Sequence, residues 1–347
     1  MAGRRVRRGR GSAGGGRAPG GAGGRVGARA DGPGLPGRGG GWRPAAPARE
    51  DGRVDVSRTK ALPAAEEFAW ARQRRADIRA AGGILDLVLP LREGGDGPAL
   101  FCAPPLVGAG WCYLALLPHL GTAHPVYALQ SRGLRRPEPL PVDMAELARD
   151  FADRITETRP DGPYHLFGWS LGGNMAHAIA EELEGRGHEV GSLVIGDATP
   201  GLPDNISVAD DNVWLLCDFV LREFGYQPVV EPDDPDPVGR MLEVVRGRPG
   251  LGLHEWPDRR VRALPRIIRN NIAVAQRHRP GRVRAPVLFL AATRTEDTTA
   301  AKLASWADHV AGPVDVVEVD CRHEHMLLPE PVARFGAAIS ARLGARP

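Results

Sequence analysis

The sequence of 347 residues is poor in cysteine, lysine and aromatic residues, and it has no long hydrophobic run. Its four cysteines form no CxxC pair and no short zinc-ligand spacing, which argues against a zinc site and favours reduced thiols. No apolar run approaches the roughly 18–20 residues that a membrane helix needs. Gly-rich sequence follows the Arg4-Arg5 pair, where an export signal would have an apolar segment. We therefore expect a cytoplasmic chain that does not span a membrane.

Glycine, proline and arginine are abundant, and they are concentrated at the amino terminus. Residues 1–50 hold 17 glycines and 11 arginines against two acids, a net charge of +9, while the rest of the chain carries −6. Such a segment cannot bury enough apolar surface to offset the entropy of ordering, so residues 1–52 are predicted to be a disordered tail. Trp42 is the only aromatic residue there. Binding of nucleic acid by stacking of bases is therefore not expected.

Residues 53–97 are predicted to link this tail to the folded domain. The pattern over 61–81 indicates a helix that ends at Gly82-Gly83. Four leucines then alternate with other residues, which predicts a first, half-buried strand. These leucines are Leu85, Leu87, Leu89 and Leu91.

From residue 98 to 347, short apolar runs alternate with longer amphipathic stretches. Nearly continuous apolar strands separated by helices are typical of an α/β fold, a mostly parallel sheet with helices on both faces. The predicted strands are 99–103, 125–129, 164–168, 192–196, 286–291 and 314–319. The predicted helices are 110–120, 143–159, 171–187, 299–311 and 331–344.

Residues 204–279 interrupt this alternation, because they show helical patterns and no strand pattern. A helical insertion between two strands of such a sheet is the usual form of a lid over a site. The helical patterns are 212–225, 237–247 and 258–277. The last one carries three arginines spaced to share one helical face, which would meet either an acidic partner or only solvent: Arg262, Arg266 and Arg269.

The segment Gly168-Trp169-Ser170-Leu171-Gly172 fits the pattern GxSxG. An apolar strand runs directly into it and a helix runs out of it, which is the context of a nucleophile elbow. The sharp turn presents the Ser170 hydroxyl at the carboxyl edge of the sheet, and its glycines remove side chains that would clash. The amino end of the helix favours developing negative charge. Ser170 is therefore the predicted nucleophile.

A serine hydroxyl needs a base, and the base needs a carboxylate to orient it. In this architecture they follow the serine in the order acid, then histidine. Asp197 ends the next strand and His323 follows the last one, so both should reach the same edge of the sheet. Asp297 and His325 are the alternatives. Asp197 is preferred as the acid because the segment around Asp297 also predicts a helix cap.

Backbone N–H groups should form the oxyanion hole. One donor is Leu171, the residue after the nucleophile. The other should lie in the turn after the strand at 99–103, where Pro104 and Pro105 have no N–H, so Leu106 offers the first available donor.

Four segments from Ala99 to about Leu343 resemble the thioesterase domains of nonribosomal peptide synthetases, members of the α/β-hydrolase superfamily. They are LFCAPPLVGAGWCYLALLPHL, PVYALQSRGL, GPYHLFGWSLGGNMAHAIAEELEGRGHEV and VDCRHEHMLLPEPVARFGAAI. In the family, the histidine is followed three residues later by Met or Ile, as His323 is by Met326, which favours His323 over His325. The family's acid follows the next strand after the serine, in agreement with Asp197. The oxyanion loop departs from the frequent His-Pro-Ala-Gly-Gly pattern.

The resemblance implies an enzyme that releases an acyl or peptidyl chain from the phosphopantetheine thioester of a carrier protein, by hydrolysis or cyclisation. No bound cofactor or metal is implied, because the phosphopantetheine belongs to the carrier. No carrier-protein motif precedes the domain, so we expect the carrier to lie on another polypeptide. The alternatives are an editing thioesterase, a general serine esterase, and a catalytically silent binding protein of the same fold.

Overall fold

The predicted strands form one seven-stranded sheet in the computed structural model, which describes residues 85–202, 213–224, 226–227, 229–247 and 253–344. The strands are β1 (Val88–Arg92), β2 (Leu100–Ala103), β3 (Val126–Leu129), β4 (Tyr164–Trp169), β5 (Val190–Gly196), β6 (Val287–Ala292) and β7 (Val314–Val319). Their order across the sheet is β1-β3-β2-β4-β5-β6-β7. β1 pairs antiparallel with β3, and all other neighbours pair parallel. The mostly parallel sheet is thus confirmed.

Helices follow most of the strands, as the amphipathic stretches predict. A 3-10 helix spans Trp111–His119, and shorter ones span Leu253–Glu255 and His323–His325. The α-helices are α1 (Met144–Thr158), α2 (Leu171–Gly185), α3 (Val213–Glu223), α4 (Pro237–Gly247), α5 (Asp258–Val261), α6 (Leu264–Arg277), α7 (Thr299–Trp306) and α8 (Pro329–Gly344). No helix in these described ranges is long and apolar enough to cross a bilayer.

Both faces of the sheet are covered, and the alternation of side chains along β2 shows how. Phe101 and Ala103 point into one apolar cluster, which α1, α2 and α7 complete. Leu100 and Cys102 point into the opposite cluster, with the long 3-10 helix and α8. Successive side chains of a strand point to opposite faces, so a strand buried on both sides is apolar along most of its length. This explains why the central strands have nearly continuous apolar sequences, in which the buried polar side chains of His165 and Ser192 bond to each other.

The described residues between β5 and β6 form helices and build an apolar cluster of their own. Residues from α3, α4 and α6 pack there against Val107, Ala109 and Leu134 of the main domain. The segments 1–84 and 203–212, which include the predicted tail, the linker helix and the start of the insertion, lie outside the described residues.

The prediction of one continuous helix over 258–277 is wrong, because the chain forms two helices, α5 and α6. Pro265 lies in the first turn of α6. In one continuous helix, Pro265 could not donate a hydrogen bond to the Val261 carbonyl, and its ring would clash with that carbonyl. Helix α5 therefore ends before Pro265, and a new helix, α6, begins around it. Arg262 caps the end of α5, whereas Arg266 and Arg269 lie in α6. The three arginines therefore do not share one helix.

Two further helices differ from their predictions. The stretch 110–120 forms a 3-10 helix that contains Pro118, a residue that weakens an α-helical hydrogen-bond pattern. The helix predicted over 299–311 ends at Trp306, and the chain then turns so that Val310 forms a parallel bridge with Val283.

Helix α1, which packs against α2, begins with a well-formed cap. The side chain of Asp143 accepts a hydrogen bond from the Glu146 N–H at 2.7 Å, and the Glu146 carboxylate accepts one from the Val142 N–H at 2.8 Å. These bonds satisfy backbone donors that have no partner within the helix.

We expect Asp143→Ala to lower the free energy of unfolding by about 0.5–2 kcal/mol, the usual effect of losing an N-cap side chain. Urea unfolding followed by circular dichroism measures this. Glu157→Ala, at an exposed position near the end of the same helix, is the control and should change stability by less than about 0.5 kcal/mol. Equal effects of the two substitutions would contradict the role of the cap.

Candidate active site

Ser170 lies in the turn between β4 and α2, in a strained backbone conformation. Its φ is +58°, in the left-handed region that non-glycine residues rarely adopt. A Cβ at Gly168 would lie 1.9 Å from the Gly172 carbonyl oxygen, so only glycine fits there. The turn therefore has the conformation that the GxSxG pattern predicts, with the hydroxyl at the amino end of α2.

The structure brings Ser170, His323 and Asp197 together in one line of hydrogen bonds. The Ser170 Oγ lies 2.9 Å from His323 Nε2, and His323 Nδ1 lies 2.7 Å from Asp197 Oδ2. Because a carboxylate only accepts hydrogen bonds, Nδ1–H donates to it and Nε2 is left to accept from the serine. The indole of Trp169 packs against His323 and donates to its carbonyl oxygen at 3.2 Å.

The two alternative residues have other surroundings. Asp297 is exposed in the turn before α7, and the neighbouring Thr298 caps that helix by accepting from the Ala301 N–H. His325 ends the short 3-10 helix that begins at His323, and its backbone N–H donates to the Arg322 carbonyl. Neither side chain is a hydrogen-bond partner of Ser170 in the described structure.

The loop after β2 packs against the amino end of α2. Tyr113 joins the two, because its hydroxyl donates to the Ala103 carbonyl at 2.6 Å and accepts from the Trp169 N–H at 3.1 Å. A Cβ at Gly172 would lie 2.8 Å from the same carbonyl oxygen, so this close approach needs a glycine. Leu171 is the first residue of α2, and Leu106 follows Pro105 in the loop. The Leu106 carbonyl accepts from the Asn271 side chain of α6 at 3.0 Å.

Sequence reasoning missed Lys302, which lies in α7 and binds Asp197. The ammonium of Lys302 is 2.6 Å from Asp197 Oδ1, and the two side chains are 5% and 2% exposed. Burial by itself raises the pKa of Asp197, but the hydrogen bonds from His323 and Lys302 outweigh it, so the pKa lies below its usual range. The chain has 43 arginines and only two lysines. The presence of a lysine in the predicted helix 299–311 was therefore the signal from which a special role of Lys302 could have been suspected.

Sequence reasoning also missed Glu223, the last residue of α3. Its carboxyl is half-buried and interacts electrostatically with His323 and Glu324. Burial is the main cause that raises the pKa of Glu223, Glu324 adds to the rise and His323 opposes it, and together they bring the pKa to about 7. The helical insertion therefore brings a titratable group close to His323. In the described part of the chain, no cluster of three His, Cys, Asp or Glu side chains could hold a metal ion.

Because the pKa of Glu223 is 4.5 in the unfolded chain and about 7 in the folded one, the folded state binds more protons between these values. The contribution of Glu223 to the free energy of unfolding should then fall as pH rises from about 4.5 to 7. We expect Glu223→Gln to stabilise the chain by about 1–3 kcal/mol at pH 8 and to have little effect at pH 4. Urea unfolding at both pH values measures this. Glu243→Gln, at an exposed position of α4, is the control, and an equal gain there would contradict the prediction.

Comparison with known proteins identifies the domain. A family model described as a thioesterase domain matches residues 98–209. The dimodular nonribosomal peptide synthase of Bacillus subtilis is 34% identical over 270 residues, which cover 78% of this chain and 11% of that protein. The chain thus spans about a tenth of that relative's length.

Solved structures show the same fold at lower identity. A four-domain nonribosomal peptide synthetase has a TM-score of 0.66 and 22% identity, covering 75% of this chain and 20% of that one. The Vlm2 thioesterase domain has a TM-score of 0.60 and 20% identity, covering 73% of this chain and 96% of that domain. With its seven-stranded sheet and its serine at the elbow, the chain carries a thioesterase domain, a hydrolase with the α/β-hydrolase fold, that is similar to the thioesterase domains of nonribosomal peptide synthetases.

Proposed function

We propose that this domain releases an acyl or peptidyl chain from the phosphopantetheine thioester of a carrier protein, through an acyl-serine intermediate. The observation that carries the proposal is the line of hydrogen bonds from Ser170 through His323 to Asp197. The similarity to peptide synthetases supports a substrate held by a carrier protein. The phosphopantetheine arm comes with the carrier, so the domain itself needs no cofactor.

In the first half of the reaction, Ser170 attacks the carbonyl carbon of the thioester while His323 Nε2 takes the hydroxyl proton. Asp197 holds the imidazole in the required tautomer and stabilises the imidazolium that forms. The negative charge on the carbonyl oxygen is met by the N–H groups of Leu106 and Leu171. The carbon–sulfur bond then breaks, and His323 gives its proton to the departing thiolate.

In the second half, the same groups act on the acyl-serine ester. His323 takes a proton from water, or from an amine or hydroxyl of the bound chain, and this nucleophile attacks the ester carbon. The bond between the acyl carbon and Ser170 Oγ breaks, and the serine recovers its proton from the imidazolium. Water gives a free acid and an internal nucleophile gives a ring.

The helical insertion is proposed to act as a lid that selects the chain to be released. Its cluster of apolar side chains packs on the loop that carries Leu106, through contacts with Val107 and Ala109. Asn271 of the insertion also donates to the Leu106 carbonyl. The insertion and the proposed oxyanion loop are therefore in direct contact, so a substrate that moves one would affect the other.

Hydrolysis of acyl and peptidyl N-acetylcysteamine thioesters tests the reaction. We expect Ser170→Ala to lower kcat/KM by at least about a thousandfold, because no other group replaces the nucleophile. Ser340→Ala in α8 is the matched control and should keep the wild-type rate. An Ser170→Ala rate within tenfold of wild type would refute the proposed nucleophile.

The same assay separates the proposed function from its alternatives. A chain-releasing enzyme should have its highest kcat/KM with peptidyl thioesters. A preference for short acyl groups on a carrier would identify an editing thioesterase, and a preference for p-nitrophenyl esters an oxygen-ester hydrolase. If neither thioesters nor esters react and Ser170 is not labelled by a fluorophosphonate, the fold serves only for binding.

A further inference from the structure

Lys302 is a buried cation that the proposed reaction does not use. Its side chain is 5% exposed and reaches from α7 to the end of β5. An ammonium has three N–H donors, and the structure gives it three acceptors: Asp197 Oδ1 at 2.6 Å, Thr295 Oγ1 at 2.8 Å and the Ala292 carbonyl at 3.1 Å. All three donors of the lysine are thus satisfied.

The carboxylate of Asp197 is held on both sides. Oδ2 accepts from His323, whereas Oδ1 accepts from Lys302 and from the Ala292 N–H at 3.0 Å. Because each oxygen has its own partners, rotation of the carboxyl group would break hydrogen bonds at both ends. A buried carboxylate without such partners would be costly and would tend to become neutral.

From this geometry we propose that Lys302 is a positioning residue of the triad Ser170, His323 and Asp197: it holds the Asp197 carboxylate in the one orientation that aligns His323 with Ser170. This inference rests on the proposed function for its catalytic meaning. Other hydrolases of this architecture need a carboxylate in the same place, but nothing in the triad chemistry itself requires a lysine behind it.

The positive charge of Lys302 also has a consequence that opposes the reaction. When Ser170 gives up its proton, His323 becomes an imidazolium, and the charge of Lys302 on the far side of Asp197 disfavours it. Other groups also act there: Glu223 from α3 interacts with both His323 and Glu324, and the Cys321 thiol interacts with Asp197. Lys302 thus aligns the triad through its hydrogen bonds, whereas its charge opposes the positive charge that His323 takes up during the reaction.

This combination predicts two effects of Lys302→Met, measured as the rate at which a fluorophosphonate labels Ser170 between pH 4 and 9. The plateau rate should fall by about ten- to a hundredfold, by analogy with the loss of a hydrogen-bond partner that orients a metal-ligating side chain. The midpoint of the pH profile should move up by roughly 0.5–1 unit, because the imidazolium loses a repulsive neighbour. A purely structural lysine would lower the amount of folded protein and leave the midpoint in place.

Two variants serve as controls. Arg294→Met removes a cation that is 63% exposed and paired with Asp320, so solvent screening should leave midpoint and plateau unchanged. Lys302→Arg keeps the charge but not the three-donor geometry, so it should lower the plateau and keep the wild-type midpoint. A folded Lys302→Met with the wild-type midpoint, or with the wild-type plateau, would overturn the proposal.

If Lys302→Met does not fold, the unsubstituted chain still provides a test. The sequence has two lysines, Lys60 and Lys302, so ¹⁵N-lysine labelling gives two Nζ signals, which Lys60→Arg assigns. The Lys302 protons should exchange slowly with water, and its signal should shift over the pH range in which labelling of Ser170 changes. Rapid exchange and no such shift would overturn the proposal.

These measurements do not depend on the natural substrate. Fluorophosphonates react with any activated serine, so the midpoint shift can be measured even if no thioester is hydrolysed. A chain without thioesterase activity but with the expected shift would refute the proposed function and retain the role of Lys302. Thioesterase activity in the wild type together with an unchanged midpoint in Lys302→Met would support the proposed function and refute the role of Lys302.

Discussion

The arrangement of the site depends on keeping one carboxylate charged where water cannot reach it. Asp197 is 2% exposed in its side chain, and an ion in such surroundings is tolerated only with charged or hydrogen-bonding partners on every side. Its partners come from three separate parts of the chain: the end of β6, helix α7 and the loop after β7. The carboxylate therefore fixes the relative positions of these elements, and the imidazole of His323 is aligned as a result.

Strain in the backbone accompanies this arrangement. Ser170 and Asp197 are the non-glycine residues with positive φ in the described part of the chain, at 58° and 48°. Both follow directly after central strands, β4 and β5, where parallel pairing holds the preceding residues in place. Such conformations persist only when the surrounding structure enforces them. The buried sheet and its two apolar layers thus hold two functional side chains in positions that an isolated turn would not keep.

Sequence reasoning succeeded where a local pattern determines the structure. Continuous apolar runs gave the strands, and the strand-to-helix context of Gly168 to Gly172 gave the elbow. It failed where long-range packing decides. Lys302 and Asp197 are 105 residues apart, and Glu223 interacts with His323 only because the insertion packs on the loops that follow β2 and β3. The split between α5 and α6 was locally predictable, because Pro265 stands in the middle of the assumed helix.

The hydroxyl of Tyr113 bridges the first loop and the elbow, with one bond to Ala103 and one to Trp169. The loop with Leu106 and the elbow with Leu171 are proposed to donate hydrogen bonds to the same substrate oxygen. The hydroxyl of Tyr113 therefore links the two segments that must move together to form the oxyanion hole. This matters for engineering: a loop transplanted from a relative would need a compatible tyrosine in the adjoining 3-10 helix. Without it, the amide of Trp169 would have no acceptor in a dry environment, and the graft would disturb the nucleophile as well as the loop.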